Sequence, residues 1–245
     1  MRWLLDNTGQ AWALTLEHLY LSIVPTMVGV VVALALGLVF GNKPRARAAI
    51  TAVASAIFTI PSLALFVVIP SIIGTQILDP LNVVIALSLY SASLLVRTVF
   101  DALDAVAPEV LNAAEALGYS RARRRVFVDL PLAVAPLAAG TRVAAVTNVS
   151  LVSVGAVIGV GGLGQLFVAG YQRNYPDQIL AGIIVILALA LVLDRLIAGA
   201  ARLLTPWLHS GAAPSDSTSR RRPANGREKP VVPAAADPAA REAGK

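Results

Sequence analysis

Five apolar runs, each close to 20 residues long or longer, constrain this chain more than any other feature. They occupy residues 19–40, 49–73, 81–100, 133–160 and 179–197. Each is long enough to cross a hydrocarbon core of about 30 Å as a helix. A β-barrel would instead need alternating segments of about 10 residues, and these runs do not alternate. Helices satisfy their own backbone groups within one segment, so helices are the expected solution in lipid. Composition agrees: 57% of the 245 residues are hydrophobic and 14% are charged, against about 25% charged in an ordinary soluble domain. The expected fold is an all-α integral membrane protein with about five transmembrane helices.

Charge placement gives the expected orientation. Basic residues collect in alternate loops: Lys43, Arg45 and Arg47 after the first run, Arg121, Arg123, Arg124 and Arg125 after the third, and Arg202 with Arg220 to Arg222 after the last. The opposite loops hold none in 74–80 and Arg173 alone in 161–178. The positive-inside rule then puts the N-terminus outside and the C-terminus inside, an odd number of crossings. Residues 1–18 form an external segment. The first run has its basic cluster after it, as a retained span does and a cleaved signal peptide does not. Residues 211–245 are rich in Pro, Ala, Ser and Arg, carry half of the net charge of +6, and read as a disordered cytoplasmic tail able to touch anionic lipid. The pattern of charge argues topology and no nucleic-acid binding.

The absence of cysteine excludes a disulfide framework, a thiolate metal site and a cysteine nucleophile. The two histidines, His18 and His209, lie far apart near expected membrane boundaries and read as interfacial polar residues. No cofactor or metal site is expected. No paired carboxylates or catalytic triad stand out, so no catalysis is expected of this chain.

The polar segment EVLNAAEALGYSRARRRVFVDLP, residues 109–131, interrupts the apolar pattern. Pro108 suits the first turn of a helix. Val110, Leu111, Ala114 and Leu117 fall on one face, with Glu109, Asn112 and Glu115 on the other. Gly118 can end that helix in a left-handed conformation. Ser120 can cap a second helix running toward Pro131. The small residues Ala113, Ala114 and Gly118 would let a partner approach closely. Four arginines near a helix start oppose its macrodipole, which is tolerable against phosphate headgroups or an acidic partner.

This segment resembles the EAA signature of binding-protein-dependent ABC-importer permeases of the MetI-like type. Asn112-Ala113-Ala114, Gly118, Val128 and Leu130-Pro131 fall at the signature's spacing, with Asn112 where the family has Glu. The resemblance implies that loop 101–134 carries a coupling helix that docks in a groove of a separate ATPase subunit, with Glu109, Asn112, Ala113, Ala114, Glu115, Gly118, Leu130 and Pro131 at the docking site. Glu109 or Glu115 would substitute for the missing charge. Thr59-Ile60-Pro61-Ser62-Leu63-Ala64-Leu65, His18-Leu19-Tyr20-Leu21-Ser22, Leu89-Tyr90-Ser91 and Gly159-Val160-Gly161-Gly162-Leu163-Gly164 resemble the permeases that import glycine betaine, choline and related osmoprotectants. The resemblance spans a permease domain over 19–200. It implies ABC ATPase subunits, an extracytoplasmic substrate-binding protein and a second permease subunit, like or unlike, as partners. Pro61, Ser62, Tyr90, Ser91, Asn148, Gly161 and Gly162 are the candidates for the translocation pathway.

Other readings compete for some of these residues. Gly159, Gly161 and Gly164 satisfy G-x-G-x-x-G, but they close an apolar span, with no preceding strand and no acid at the required distance. Close packing or a bend at the external mouth explains them better. Pro61 reads either as a bend lining the pathway or as a structural kink. Arg142, Arg97 and the Asp194–Arg195 pair lie inside apolar runs. Such charges are either functional or snorkel to the interface, and Asp129 is a candidate partner for Arg142. The alternative function is a stand-alone secondary transporter, yet no internal repeat is visible and five spans do not divide evenly.

Overall fold

The computed structural model describes residues 2–208, and the expected tail and His209 lie outside them. The described residues are helical with no strand. Ten helices follow in order: α1 (Arg2–Asp6), α2 (Thr8–Phe40), α3 (Pro44–Thr59), α4 (Ser62–Ile73), α5 (Pro80–Asp104), α6 (Pro108–Ala116), α7 (Arg121–Arg124), α8 (Leu130–Gly155), α9 (Gln165–Gln172) and α10 (Pro176–Leu204). A π turn, Arg125–Asp129, joins α7 to α8 without a break.

Four helices are long and apolar enough to cross a membrane by themselves: α2, α5, the continuous Arg121–Ile158 stretch and α10. The expected second span, 49–73, is not one helix. It is α3 and α4, bent by 104° at the Ile60-Pro61 step. Pro61 has no N–H to continue the ladder and biases Ile60 toward extended backbone. Ile60 takes ψ 130° and Pro61 ψ 133°, so the chain leaves the helix for two residues and restarts in a new direction. Pro70 stays within α4, where Gly74 closes the helix in a left-handed conformation, φ 74°.

The expected boundaries fall short at the N-terminus. The first run was bounded at residue 19, but α2 starts at Thr8 and extends about 50 Å. Residues 8–18 are therefore helix continuous with the first span. Periodicity does not show this, because Gln10, Thr15, Glu17 and His18 dilute the apolar pattern there.

α2, α5 and α8 form the centre of the bundle, with α3 and α4 against α5 and α10 against α8. One cluster of buried side chains (Leu21, Phe66, Val83, Leu87, Tyr90 and Val152) joins α2, α4, α5 and α8. A second (Ala33, Ala54, Leu95, Val99, Phe100 and Ala144) joins α2, α3, α5 and α8. Small residues set the spacing. A Cβ on Gly29 would fall against Ser91 Cβ, well inside van der Waals contact, and within 2.9 Å of the Ala92 backbone nitrogen. α2 and α5 thus touch backbone to backbone, the mode of approach that small residues permit between membrane helices.

Candidate functional site

The α6 hairpin is built from three local signals. Pro108 opens α6 in its first turn. Gly118 adopts φ 82°, a conformation that residues with a Cβ adopt at a cost, and reverses the chain. Ser120 caps α7, its Oγ accepting from the Arg123 backbone N–H at 3.4 Å. The second helix does not stop at Pro131. The π turn widens the helix just ahead of it, so the carbonyl that a proline ring would strike is displaced, and Leu130-Pro131 begin the long α8.

The faces of α6 differ from the expected ones. Leu111 and Ala114 turn inward, but Val110 is 39% and Leu117 78% exposed. Ala114 is buried within its own chain and is not open to a partner. Glu109, Asn112, Ala113, Glu115, Leu117 and Gly118 remain on the exposed surface. Gly118 has open space where a Cβ would stand, so its backbone conformation, and not close packing within the chain, requires glycine.

Three of the four arginines are tied within the chain. Arg124 pairs with Glu115 and lies 3.5 Å from the buried Asp129, and Arg125 donates to the Leu38 carbonyl of α2. Arg123 lies over the Tyr119 ring at 5.0 Å. Arg47 of α3 makes two hydrogen bonds to Asp104 at the end of α5, at 3.0 and 2.6 Å. The Arg123 and Arg124 contacts close the hairpin on itself, Arg125 ties it to α2, and the Arg47–Asp104 pair joins α3 to α5 beside it, leaving the outer face of α6 as the exposed element. A cleft of about 360 Å³ runs beneath it, lined by Arg47, Asp104, Leu111, Arg124, Arg125 and Asp129 among others.

The pathway candidates separate into three places. Ser91 and Asn148 meet in the bundle centre. Asn148 Nδ2 donates to Ser91 Oγ at 2.7 Å and to Thr26 Oγ1 at 2.8 Å. Thr26 donates to the Ser22 carbonyl and Ser22 to the His18 carbonyl, each at 2.7 Å. All of these side chains are buried, so this line of polar groups fastens α2, α5 and α8 together. Tyr90 donates its hydroxyl to the Ile60 carbonyl, the acceptor that the Pro61 break leaves without a helical partner. Pro61 is exposed and Ser62 half-buried beside that break.

Gly161 and Gly162 form the third place. Gly162 has φ 47°, and a Cβ on it would lie 2.8 Å from the His18 backbone. His18 is not interfacial. It is fully buried, and its Nε2–H donates to the Val149 carbonyl at 3.0 Å. The Nε2–H tautomer follows, since a carbonyl can only accept. Sequence reading missed His18 because its partners, Val149 and the glycine turn, are more than 130 residues away.

Arg142 is held by Asp194, not Asp129. Its Nε and Nη2 both donate to that carboxylate at 2.7 Å, a bidentate pair between α8 and α10. Among the described residues no group of three His, Cys, Asp or Glu side chains is placed to hold a metal ion.

Comparison with known proteins agrees with this architecture. The chain is 34% identical to the osmoprotectant import permease protein OsmW of Salmonella typhimurium, over 84% of this chain and 97% of that protein. It is 29% identical to the choline transport system permease protein OpuBB of Bacillus subtilis, over 84% and 94%. The fold matches a chain of the MetNI methionine ABC transporter in an inward-facing conformation, with a TM-score of 0.70 at 21% identity, covering 79% of this chain and 97% of that one. The family model described as binding-protein-dependent transport system inner membrane component matches residues 27–208, and the chain belongs to that family of membrane permease components.

Proposed function

We propose that this chain is the membrane-spanning permease of an ATP-driven importer carrying an osmoprotectant such as glycine betaine, choline or proline betaine. The observation that carries the reading is the end-to-end likeness to permeases whose names specify osmoprotectant and choline import. ATP hydrolysis belongs to a separate subunit, and this chain supplies the passage and the coupling contact. The permease domain occupies 19–200 and crosses five times, counting the bent α3–α4 pair as one crossing, with the N-terminus outside and the C-terminus and tail inside.

Loop 101–134 is the coupling element. The exposed surface of Glu109, Asn112, Ala113, Glu115 and Leu117 enters the ATPase groove, while Gly118, Leu130 and Pro131 shape the hairpin behind it. Closure of two ATPases would draw the coupling helices of two permease subunits together, and an extracytoplasmic binding protein would deliver the solute. The dimer interface is the bistable element, biased by nucleotide at one end and loaded binding protein at the other. Tyr90 and Pro61 set the angle of the α3–α4 break, and Ser91 with Asn148 keeps the helices behind it rigid. Affinity isolation from native membranes tests the assembly. An ATPase subunit should accompany the wild type and be lost with Leu117→Asp, which changes an exposed side chain. A preparation that transports without an ATPase would favour a secondary transporter.

A further inference from the structure

Arg97 stands apart from the other charges of the bundle. It lies within α5 on an exposed face and makes no ion pair among the described residues. Asp101, one turn further along α5, forms no ion pair with it. Its Nη2–H donates to Ser55 Oγ of α3 at 3.3 Å. α3 and α5 are pinned at one end by the Arg47–Asp104 pair. Arg97 lies seven residues back from Asp104 and Ser55 eight residues on from Arg47. The guanidinium therefore sits about 10–12 Å inside that ion pair, held sideways against α3 and not extended toward the helix end.

An uncompensated guanidinium facing lipid tails is costly, so charged side chains at such depth face water-filled cavities or partners. Arg97 faces an open groove of about 390 Å³ between α3 and α5, whose polar lining is Thr51, Ser55, Thr59 and Ser93. Phe58 lines the same groove, one turn along α3 from Ser55, with its ring edge-on to Tyr90 at 5.7 Å. The groove reaches Thr59, the last residue of α3 before the Pro61 break. Asp194, the acidic residue of the last apolar run, is already held twice by Arg142.

We infer that the α3–α5 groove is a solute subsite on the permeation path, with Arg97 binding the carboxylate of a zwitterionic solute and the Phe58 ring facing its quaternary ammonium end. Guanidinium and carboxylate pair through charge-assisted hydrogen bonds, and onium groups favour aromatic faces. Ser55 Oγ holds the guanidinium in place while the site is empty. This rests on the importer reading above and narrows it. A solute with a carboxylate would use both ends of the groove, and choline, which lacks one, would use only the Phe58 end.

The test is uptake into proteoliposomes holding the permease with its ATPase and binding protein, with glycine betaine and choline measured separately. Arg97→Gln should lower glycine betaine uptake about tenfold or more and change choline uptake less than about twofold, and Arg97→Lys should recover most of the loss. Equal loss of both solutes would overturn the subsite, since it would mark a lipid-phosphate or structural role for Arg97. Unchanged uptake of both would overturn it as well. If the wild type carries glycine betaine alone, Arg97→Gln must still lose uptake while retaining its ATPase at wild-type yield, and failure on either count overturns the proposal. A wild type that moves neither solute would instead overturn the osmoprotectant reading, and the subsite with it.

Discussion

Arg142 and Arg97 both lie inside apolar helices, and the molecule treats them differently. Arg142 is paired within its own chain, its Nε and Nη2 both donating to Asp194. Arg97 has one long hydrogen bond to a hydroxyl and an open groove before it. The same contrast runs through the structure. The α2–α5–α8 centre satisfies its polar groups internally, through Asn148, Ser91, Thr26 and Ser22. The α3 face and the outer face of α6 leave chemistry exposed. Closed regions carry stability, and open regions are where solute and partner subunits are to be sought.

Added bulk at the closed centre should show the largest effect. Gly29→Val would drive a side chain into the Ser91 and Ala92 backbone. The α2–α5 contact would separate, and the variant should fail to accumulate as a monodisperse species in mild detergent. Normal yield and an unchanged melting temperature would show that the contact is slack. At the open α6 face the expectation reverses. Leu117→Asp should leave the melting temperature unchanged yet lose at least about tenfold in ATPase recovery, the penalty of burying an unpaired charge in an interface.

A third substitution sharpens the contrast between the arginines. Asp194→Asn should lower the melting temperature by stranding Arg142, whereas Arg142→Leu with Asp194→Leu should restore it, because removing both partners leaves no orphaned charge. Arg97→Leu should leave the melting temperature near the wild-type value. A drop as large as that of Asp194→Asn would make Arg97 a structural residue like its counterpart. Among the substitutions expected to destabilise, the smallest effect is expected for Asn148→Ala. Interhelical hydrogen bonds in membranes average about 0.6 kcal/mol, with a maximum near 1.7. A fall of a few degrees in thermal denaturation is expected.

The sequence carried the α6 hairpin well because its signals are local. A proline opens α6, a glycine takes the left-handed turn and a serine caps the next helix, all within 13 residues. The apolar runs likewise mark α5, α8 and α10 directly, since length in a bilayer is a local property. Long-range pairings were not legible. Nothing in the spacing of Arg142 distinguishes Asp129 from Asp194, because the choice depends on how α8 meets α10. His18 reads as a boundary residue until the glycine turn at 161–162 covers it. Pro61 announces a break, but its 104° angle comes from two extended residues in succession and from Tyr90 holding the Ile60 carbonyl. The outward turn of Val110 and Leu117 also escaped, since an exposed apolar residue looks like a core residue in sequence alone.

In the function proposed above, ATP drives solute movement through this chain by way of the α6 contact. The most direct measurement is uptake of labelled glycine betaine and choline by proteoliposomes holding the permease, its copurified ATPase and its binding protein. ATP would be supplied on the ATPase side, or an ion gradient alone imposed. Uptake of at least one of these solutes should require ATP, ignore the gradient and disappear in Leu117→Asp. Uptake that follows the gradient without ATP, or that persists undiminished in Leu117→Asp, would contradict it.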